Sequence, residues 1–225
     1  MSEKYIAVLL SGGLDSAVLL AFAAQTAPVA PIYVSVGFAW EPEERRMIDR
    51  LLRAPALSRY TIAPLASLSF DMRDVYPPSH WAVRGEPPAF DTPDEEVYID
   101  GRNVTLLSKA SIYMARHRIP RVLMGQLAGN PFPDARPEFF DAIGRALSIG
   151  LAAPIDIAAP FTGKSKTDVI RLGVDLGVPL ELTLSCMQPQ DGQHCGRCSK
   201  CRERRDAFNE AGLQDRTAYR VRPLR

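Results

Sequence analysis

The chain has 225 residues, which fits one large α/β domain with a small appendix. Hydrophobic residues make up 46% and charged residues 24%, both close to ordinary globular usage, and the net charge of +1 gives no general attraction to nucleic acid or membranes. No stretch approaches the ~20 apolar residues of a membrane span, and the apolar run near the start is too short for a signal peptide, so we expect a cytoplasmic protein.

Predicted strands and helices alternate along the chain. Short apolar runs predict strands at 5–10, 31–36, 59–63 and 121–125. Apolar residues at helical spacing predict helices at 14–25, 41–53 and 103–117. Further helices are expected at 137–149 and 165–176, and a charged helix at about 199–211. Pro137 is expected in the first turn of its helix, and Ser165 as the cap of the next. This alternation predicts an α/β fold, a parallel sheet with helices on both faces, which binds its ligand at the carboxyl ends of the strands.

Residues 64–100 interrupt this pattern. The segment contains six prolines and no sustained periodicity, and a long stretch of this kind is usually a functional lid or loop. Trp40 and Trp81 could stack on a purine, but aromatic residues around proline-rich loops commonly pin the loop to the domain, and we expect that role here.

The first strand leads into a glycine-rich loop, Leu10-Ser11-Gly12-Gly13-Leu14-Asp15-Ser16. Two glycines let backbone N–H groups approach an anion, the next helix adds its positive end, and serine hydroxyls can donate to phosphate oxygens. Asp15 suits such a site if it holds a magnesium ion. The loop is neither a P-loop nor a dinucleotide fingerprint. The alternative is a plain strand–turn–helix junction with a capping Asp or Ser.

All four cysteines lie close together in the sequence, as Cys186, Cys195, Cys198 and Cys201. Four thiolates suit a closed, tetrahedral zinc site with a structural role, and the last two cysteines can both project from the start of one helix. Disulfides and an iron–sulfur cluster are the alternatives, although the Cys-Pro typical of ferredoxin runs does not follow. His194 could replace one cysteine as a ligand, but we expect it to be an exposed side chain.

The glycine-rich loop resembles the signature of the PP-loop ATP-pyrophosphatase superfamily. The wider set of motifs resembles the 7-cyano-7-deazaguanine synthase family over nearly the whole chain. Besides the loop and the cysteines, the motifs that carry this resemblance are Gly101-Arg102-Asn103, Asp134-x-Arg136-Pro137-Glu138-Phe139, Ser165-Lys166, Arg171-Leu172-Gly173 and Glu181-Leu182-Thr183-x-Ser185-Cys186. We therefore expect a PP-loop nucleotide-binding domain of the adenine nucleotide α-hydrolase-like fold at 1–183, with its lid or loop at 64–100, and a zinc-binding helical module at 184–225.

This resemblance implies an ATP-dependent ligase of queuosine biosynthesis. Such an enzyme adenylates 7-carboxy-7-deazaguanine, converts it with ammonia to an amide and, after a second activation, to the nitrile 7-cyano-7-deazaguanine. The resemblance also implies one structural Zn²⁺, Mg²⁺ bound with ATP, and a homodimer. The ammonia is expected to come from solution.

Matching positions receive roles from the same resemblance. The catalytic candidates are Asp15, Ser16, Lys166 and Arg102. The ATP-binding candidates are the loop residues 10–16 and Lys164. The candidates for binding the substrate are Arg102, Asn103, Arg136 and Glu138. Each has a plainer alternative: a helix cap and surface arginine at 102 and 103, an ion pair between Arg136 and Glu138, and a solvated side chain at Lys166.

The chain departs from the family pattern on the side expected to meet the acceptor. Residues 38–42 read Phe-Ala-Trp-Glu-Pro where Tyr-Gly-Gln-Arg-His is usual, and residues 100, 125–127 and 135 also differ. One alternative is therefore a paralogue that passes an adenylated acid to a different amine, such as a protein in an antiviral system. A second alternative, motivated by the basic segments at 202–205 and 216–225, is a nucleic-acid-binding zinc module.

Overall fold

The computed structural model describes residues 5–221. Within that part of the chain, five strands form one parallel sheet: β1 (Ile6–Leu9), β2 (Val29–Ser35), β3 (Ala66–Ser69), β4 (Arg121–Leu123) and β5 (Asp156–Ala158). Their order across the sheet is β3-β2-β1-β4-β5. The order reverses between β1 and β4, and ligands of open parallel sheets bind at such a reversal, outside the carboxyl ends of the strands.

Seven α-helices connect and cover these strands in the described residues. They are α1 (Leu14–Ala24), α2 (Glu41–Leu52), α3 (Trp81–Arg84), α4 (Arg102–His117), α5 (Pro137–Leu151), α6 (Lys166–Asp175) and α7 (Ser199–Ala211). One apolar core unites α1, α2, α6 and α7 on one face of the sheet, and a second unites α4 and α5 on the other. The predicted parallel sheet with helices on both faces is thus confirmed.

Local sequence signals place the helix ends well. Pro137 occupies the first turn of α5, where its missing N–H costs no hydrogen bond. Ser165 caps α6: its hydroxyl accepts from the Asp168 N–H at 3.1 Å, and the Asp168 carboxylate accepts from the Ser165 N–H at 2.9 Å. Both predictions are confirmed. The Ser165 cap could be predicted because it depends on two residues only three positions apart.

The third strand lies elsewhere than the sequence predicts. Residues 59–63 contribute only an isolated bridge from Ile62 to Val29, and the strand itself is β3, which pairs with residues 32–35 of β2. Pro64 follows the bridge and cannot donate to a ladder. The three-residue β5 was not predicted. The segment 64–100 is also not structureless, since it contains β3, α3 and the 3-10 helix at Asp94–Val97.

The cysteine-bearing segment packs directly on the rest of the chain. Ala207 and Phe208 of α7 lie in the same core as Val18 of α1 and Ile170 of α6. The predicted boundary between residues 183 and 184 therefore separates parts that share one core. The division of the chain into two modules stays a prediction. In the described part of the chain, no helix is long and apolar enough to cross a membrane.

Candidate active site and metal centre

The glycine-rich loop sits at the carboxyl end of β1 and opens α1. The Ser16 hydroxyl donates to the Gly13 carbonyl at 3.0 Å and lies 3.2 Å from the Ser11 hydroxyl. The Gly13 N–H donates to the Ser11 hydroxyl at 3.3 Å. These short-range bonds fix the turn between β1 and α1.

Two glycines allow the loop to pack closely against its neighbours. Gly12 has a φ of 77°, and a Cβ there would lie 3.2 Å from the Glu44 carbonyl of α2. A Cβ on Gly125, just after β4, would lie 3.3 Å from the Asp15 Cβ. The Leu184 N–H also donates to the Gly12 carbonyl at 2.7 Å, which ties the loop to the cysteine-bearing segment. A side chain at either glycine would displace the loop.

A chain of charges joins the loop to two helices. Lys166 Nζ, at the start of α6, lies 2.6 Å from Asp15 Oδ2 and 3.1 Å from Glu203 Oε1 of α7. Lys200 Nζ lies 2.7 Å from Glu203 Oε2. Burial opposes the charge on Lys166, but the two carboxylates raise its pKa above the usual value. Burial likewise opposes the charge on Glu203, and the two lysines lower its pKa to about 2.

A cleft opens from this loop in two connected lobes. The strand-end lobe, about 290 Å³, is bounded by the carboxyl ends of β1, β2 and β4 and by Tyr98, Asn103 and Asp134. The cysteine-side lobe, about 380 Å³, is bounded by Trp81, Lys166 and the segment 184–187. Both lobes share the glycine-rich loop, Glu44 and Arg102. The cleft therefore offers two adjoining spaces beside the loop.

A buried acid lies where the lobes meet. Glu44 is 8% exposed and accepts from the Tyr33 hydroxyl at 2.9 Å. Burial raises the pKa of Glu44 to about 7, although Arg102 and the Tyr33 hydroxyl lower it in part. Burial also raises the pKa of Tyr33, and the charge of Glu44 adds to that shift. Glu41, on the same helix, accepts from the Val36 N–H at 2.7 Å and so fixes the turn from β2 into α2.

The start of α4 brings Arg102 and Asn103 to the cleft. The Asn103 N–H donates to Asp134 Oδ2 at 3.2 Å, and the Asn103 side-chain amide donates to the Asp134 carbonyl at 3.1 Å. Burial raises the pKa of Asp134. Arg102 Nε is buried without a hydrogen-bond partner among the described residues. Asn103 thus holds Asp134, while Arg102 remains directed to both lobes.

Other candidates from the sequence do not reach the cleft. Arg136 and Glu138 are exposed and line neither lobe, and no ion pair joins them in the described structure. Lys164 is half-buried and also lies outside both lobes. Conversely, Tyr33, Glu44, Asp134 and Glu203 line the cleft but were not singled out. Of these four, only Asp134 carried a signal, because it opens the motif that contains Arg136 and Glu138.

Aromatic rings pin the proline-rich segment. Trp40 and Trp81 stack with ring centroids 5.5 Å apart and an interplanar angle of 18°. Phe38 packs against Trp40 at 5.2 Å and against Tyr76 at 6.0 Å. Because Trp81 and Tyr76 belong to the segment 64–100, these contacts attach it beside the turn from β2 into α2. The expected role of both tryptophans in holding the loop is confirmed. The unusual segment 38–42 supplies Phe38 and Trp40 to these contacts.

The four cysteines converge on one point. Their sulfurs lie within 4.8 Å of one another, with Cys198 and Cys201 at 3.5 Å and Cys195 and Cys201 at 3.9 Å. Sulfurs bound at about 2.3 Å around tetrahedral zinc are about 3.8 Å apart, so the four fit such an ion. All four are buried and free of disulfides. The N–H groups of Gln188 and Cys195 donate to Cys186 Sγ at 3.3 and 3.2 Å, as suits a thiolate.

His194 is fully buried, and the expectation that it is exposed was wrong. Its Nε2 accepts from the Ser185 N–H at 3.0 Å, and its ring packs against Tyr219 at 5.4 Å. Burial, with the charge of Arg204, lowers the pKa of His194 to about 3. His194 is buried because the C-terminal segment folds back over it. No local sequence pattern predicts that contact. His194 braces the cysteine-bearing segment and is not among the four converging ligands.

Arg204 anchors α7 to the segments on either side of it in the sequence. It is 2% exposed and donates to the Thr183 hydroxyl at 2.8 Å, to the Leu180 carbonyl at 2.8 Å and to Asp215 at 3.2 Å. Asp215 also accepts from the Tyr219 hydroxyl at 2.6 Å. A buried guanidinium needs such a complete set of acceptors. The network joins α7, the segment before the cysteines and the C-terminal segment into one unit.

The sheet order, the loop at its reversal point and the converging cysteines define an α/β protein of the PP-loop fold type with four cysteines that could hold a metal ion. The chain belongs to the QueC family, since the family model described as "Queuosine biosynthesis protein QueC" matches residues 5–212. Proteins named 7-cyano-7-deazaguanine synthase from Methanoculleus marisnigri, Thermoplasma volcanium and Anaeromyxobacter dehalogenans are 35%, 34% and 34% identical. The alignments cover 96%, 98% and 94% of this chain and 99%, 92% and 94% of theirs.

Solved structures with similar chains are more distant. A phosphoadenylyl-sulfate (PAPS) reductase from Candida auris superposes with a TM-score of 0.42 at 13% identity, over 78% of this chain and 74% of that one. A predicted subunit of tRNA methyltransferase from Methanocaldococcus jannaschii has a TM-score of 0.41 at 13% identity, over 76% and 74%.

Proposed function

We propose that this chain is an ATP-dependent ligase that converts 7-carboxy-7-deazaguanine and ammonia to 7-cyano-7-deazaguanine. The observation that carries the proposal is the two-lobed cleft, whose lobes meet at the glycine-rich loop beside Asp15 and Arg102. The names of the relatives support the choice of acid and product. They give no support to transfer to a protein or to nucleic-acid binding.

In the first step, the substrate carboxylate attacks the α-phosphorus of ATP, and pyrophosphate leaves. The N–H groups of the loop, the hydroxyls of Ser11 and Ser16 and the ammonium of Lys166 would hold the phosphates and oppose the developing negative charge. Asp15 would hold Mg²⁺, which neutralises phosphate charge when bound with ATP. Arg102, with a free Nε at the junction, would orient the carboxylate.

In the next steps, ammonia attacks the carbonyl carbon of the acyl-adenylate, AMP leaves, and a proton is lost to give the amide. The amide oxygen then attacks the α-phosphorus of a second ATP, and pyrophosphate leaves. Loss of the remaining protons from nitrogen and departure of AMP give the nitrile. Both activations use the same geometry at Asp15 and Arg102, which is why one cleft can serve two steps.

The four cysteines would hold one structural Zn²⁺, because four protein thiolates close the coordination shell and leave no position for a substrate. Zinc would act by fixing the start of α7, from which Lys200 and Glu203 reach the cleft. The homodimer and the roles of Lys164, Arg136 and Glu138 remain proposals that rest on the family resemblance alone. The exposed positions of Arg136 and Glu138 are compatible with contacts outside this cleft.

The test is mass spectrometry of products from ATP, magnesium, 7-carboxy-7-deazaguanine and ¹⁵N-ammonium. Wild-type protein should form AMP and ¹⁵N-labelled nitrile together. Asp15→Ala should lower the rate at least about 100-fold, because it removes a group that acts on the reacting phosphates. Asp141→Ala, on the exposed surface of α5, is the matched control and should keep wild-type activity. An adenylated acid that never becomes nitrile would refute ammonia as the acceptor, and wild-type turnover by Asp15→Ala would refute the site.

A further inference from the structure

Asp134 is a buried acid in the wall of the strand-end lobe. It lies in the 3-10 helix Pro133–Ala135 and is 5% exposed. Its Oδ2 accepts from the Asn103 N–H at 3.2 Å, at the positive end of α4. Its Oδ1 is buried and has no hydrogen-bond partner among the described residues. One oxygen of this carboxylate is thus fixed by the fold, and the other is left over.

A leftover carboxylate oxygen needs an explanation. Buried polar atoms in native proteins are nearly always hydrogen-bonded, and an unpaired one on a charged group is costly. Asn103 holds the residue from two sides, since its side-chain amide also donates to the Asp134 carbonyl at 3.1 Å. Asp134 lines the strand-end lobe, which we expect to hold a substrate, so a ligand bound there with N–H donors would supply the missing partner.

The chemistry of purine-like bases decides which ligand suits a carboxylate. A guanine-type edge offers two neighbouring donors, the ring N1–H and the exocyclic 2-amino group. An adenine-type edge offers one donor beside a ring-nitrogen acceptor, which would repel a carboxylate. A fixed carboxylate therefore selects the guanine-type edge, and charge-assisted hydrogen bonds of this kind are among the stronger ones in proteins.

We propose that the Asp134 carboxylate accepts hydrogen bonds from the N1–H and 2-amino groups of the deazaguanine base and so determines which acid the enzyme activates. This assignment rests on the proposed function. The rings of Tyr98 and Phe132, with centroids 5.0 Å apart, form the adjacent apolar wall of the same lobe. Arg102, next in sequence to the Asn103 that holds Asp134, reaches the junction of the lobes, where the substrate carboxylate would face the phosphate loop.

The experiment compares 7-carboxy-7-deazaguanine with its analogue that lacks the 2-amino group. Calorimetric binding to the wild type should favour the parent acid by about 100-fold, because a site built around a donor rejects the analogue without it. In Asp134→Asn the affinity for the parent should fall by about 100-fold and the preference should nearly disappear. The KM for ATP should stay within about twofold. Asp141→Asn, at an exposed residue of α5, is the matched control and should leave all three values unchanged.

Three results would overturn the proposal. If Asp134→Asn only lowers the melting temperature and keeps the preference for the 2-amino group, the carboxylate merely caps α4. If the variant raises the KM for ATP instead, the carboxylate binds the nucleotide. The comparison of the two acids with the wild type is valid even if the variant does not fold. Equal affinities of the wild type for the two acids would reject the assignment. Binding is also measured without turnover, so selective binding with no AMP formation would reject the proposed reaction but keep the base-reading role.

Discussion

Glu44 is an acid that the fold buries at the junction of the two lobes, and burial raises the pKa of its carboxyl from 4.5 to about 7. Arg102 and the Tyr33 hydroxyl lower this pKa in part, while the like charge of Glu41 raises it. Because the pKa is higher in the folded chain, the folded chain binds more protons than the unfolded one between about pH 4.5 and 7. The contribution of Glu44 to stability is therefore lost as the pH rises through this window.

Glu44→Gln should remove that pH dependence, because an amide has no proton to lose in this range. Between about pH 5 and pH 8, the free energy of unfolding of the wild type should fall by about 2 kcal/mol relative to the variant. Denaturant unfolding at the two pH values measures the difference. The exposed Glu96→Gln is the matched control and should follow the wild type. Parallel pH profiles of the wild type and Glu44→Gln would show that the pKa of Glu44 is not raised.

The residues of the site differ in how far the sequence could predict them. The glycine-rich loop was predictable, because seven consecutive residues supply its turn, its N–H groups and its hydroxyls. Glu44, Asp134 and Glu203 come from three distant helices and meet only when the sheet brings them to one edge. A carboxylate in an amphipathic helix is normally a solvated residue. Nothing in the order of residues distinguishes Glu44 and Glu203 from the exposed acids around them, and Asp134 is marked only by the motif that it opens.

Helix α7 links the four-cysteine site to the cleft. Cys198 caps the helix and Cys201 lies in its first turn, so both of these proposed zinc ligands fix its start. Glu203 follows within the next turn and holds Lys166, which also contacts Asp15 of the phosphate loop. A shift of α7 would therefore move the ammonium that we expect to contact the phosphates.

Glu203→Gln tests this link without touching a cysteine. The amide cannot pair with Lys166 as an ion, so Lys166 should lose its fixed position, and kcat should fall by about 10-fold, as the loss of one charged hydrogen bond would give. The zinc content should stay at one per chain, and the KM for the acid should change little. Glu210→Gln, on the same helix and bonded to Thr167 rather than Lys166, is the matched control. Unchanged kcat in Glu203→Gln would separate α7 from the chemistry.

Elements were predictable where a local pattern was long. The helices α1, α2, α4, α5, α6 and α7 lie within two residues of their predicted ends. The signals were apolar periodicity in α2 and α4, and Pro137 and the Ser165 cap at the starts of α5 and α6. The strand β3 has alternating exposure and only four residues, and β5 has three. Such short strands form because neighbouring strands in the sheet offer hydrogen bonds, and those strands are distant in the sequence. A local pattern therefore does not predict them. The apolar residues at 60 and 62 pack against the core from outside the sheet, which explains the misplaced strand.

The cysteine-bearing segment contacts the rest of the chain at several places. Phe208 shares the main core with α1 and α6, Arg204 binds the Leu180 carbonyl at 2.8 Å, and Glu43 of α2 accepts from the Gly192 N–H at 3.0 Å. These contacts cross the predicted boundary between residues 183 and 184. Loss of the metal should therefore destabilise the nucleotide-binding part as well.

Cys198→Ser measures this coupling. A structural zinc site contributes its binding energy to folding, so loss of one ligand should cost several kcal/mol and lower the melting temperature by about 10 °C or more. Because the segment shares its core with α1 and α6, calorimetry should show a single transition that moves as a whole, and a zinc chelator added to the wild type should do the same. Arg197→Ala, at an exposed neighbour whose N–H still donates to Cys195 Sγ, is the matched control and should melt like the wild type. Two separate transitions, with the upper one unmoved, would instead establish the zinc-binding module as an independent domain.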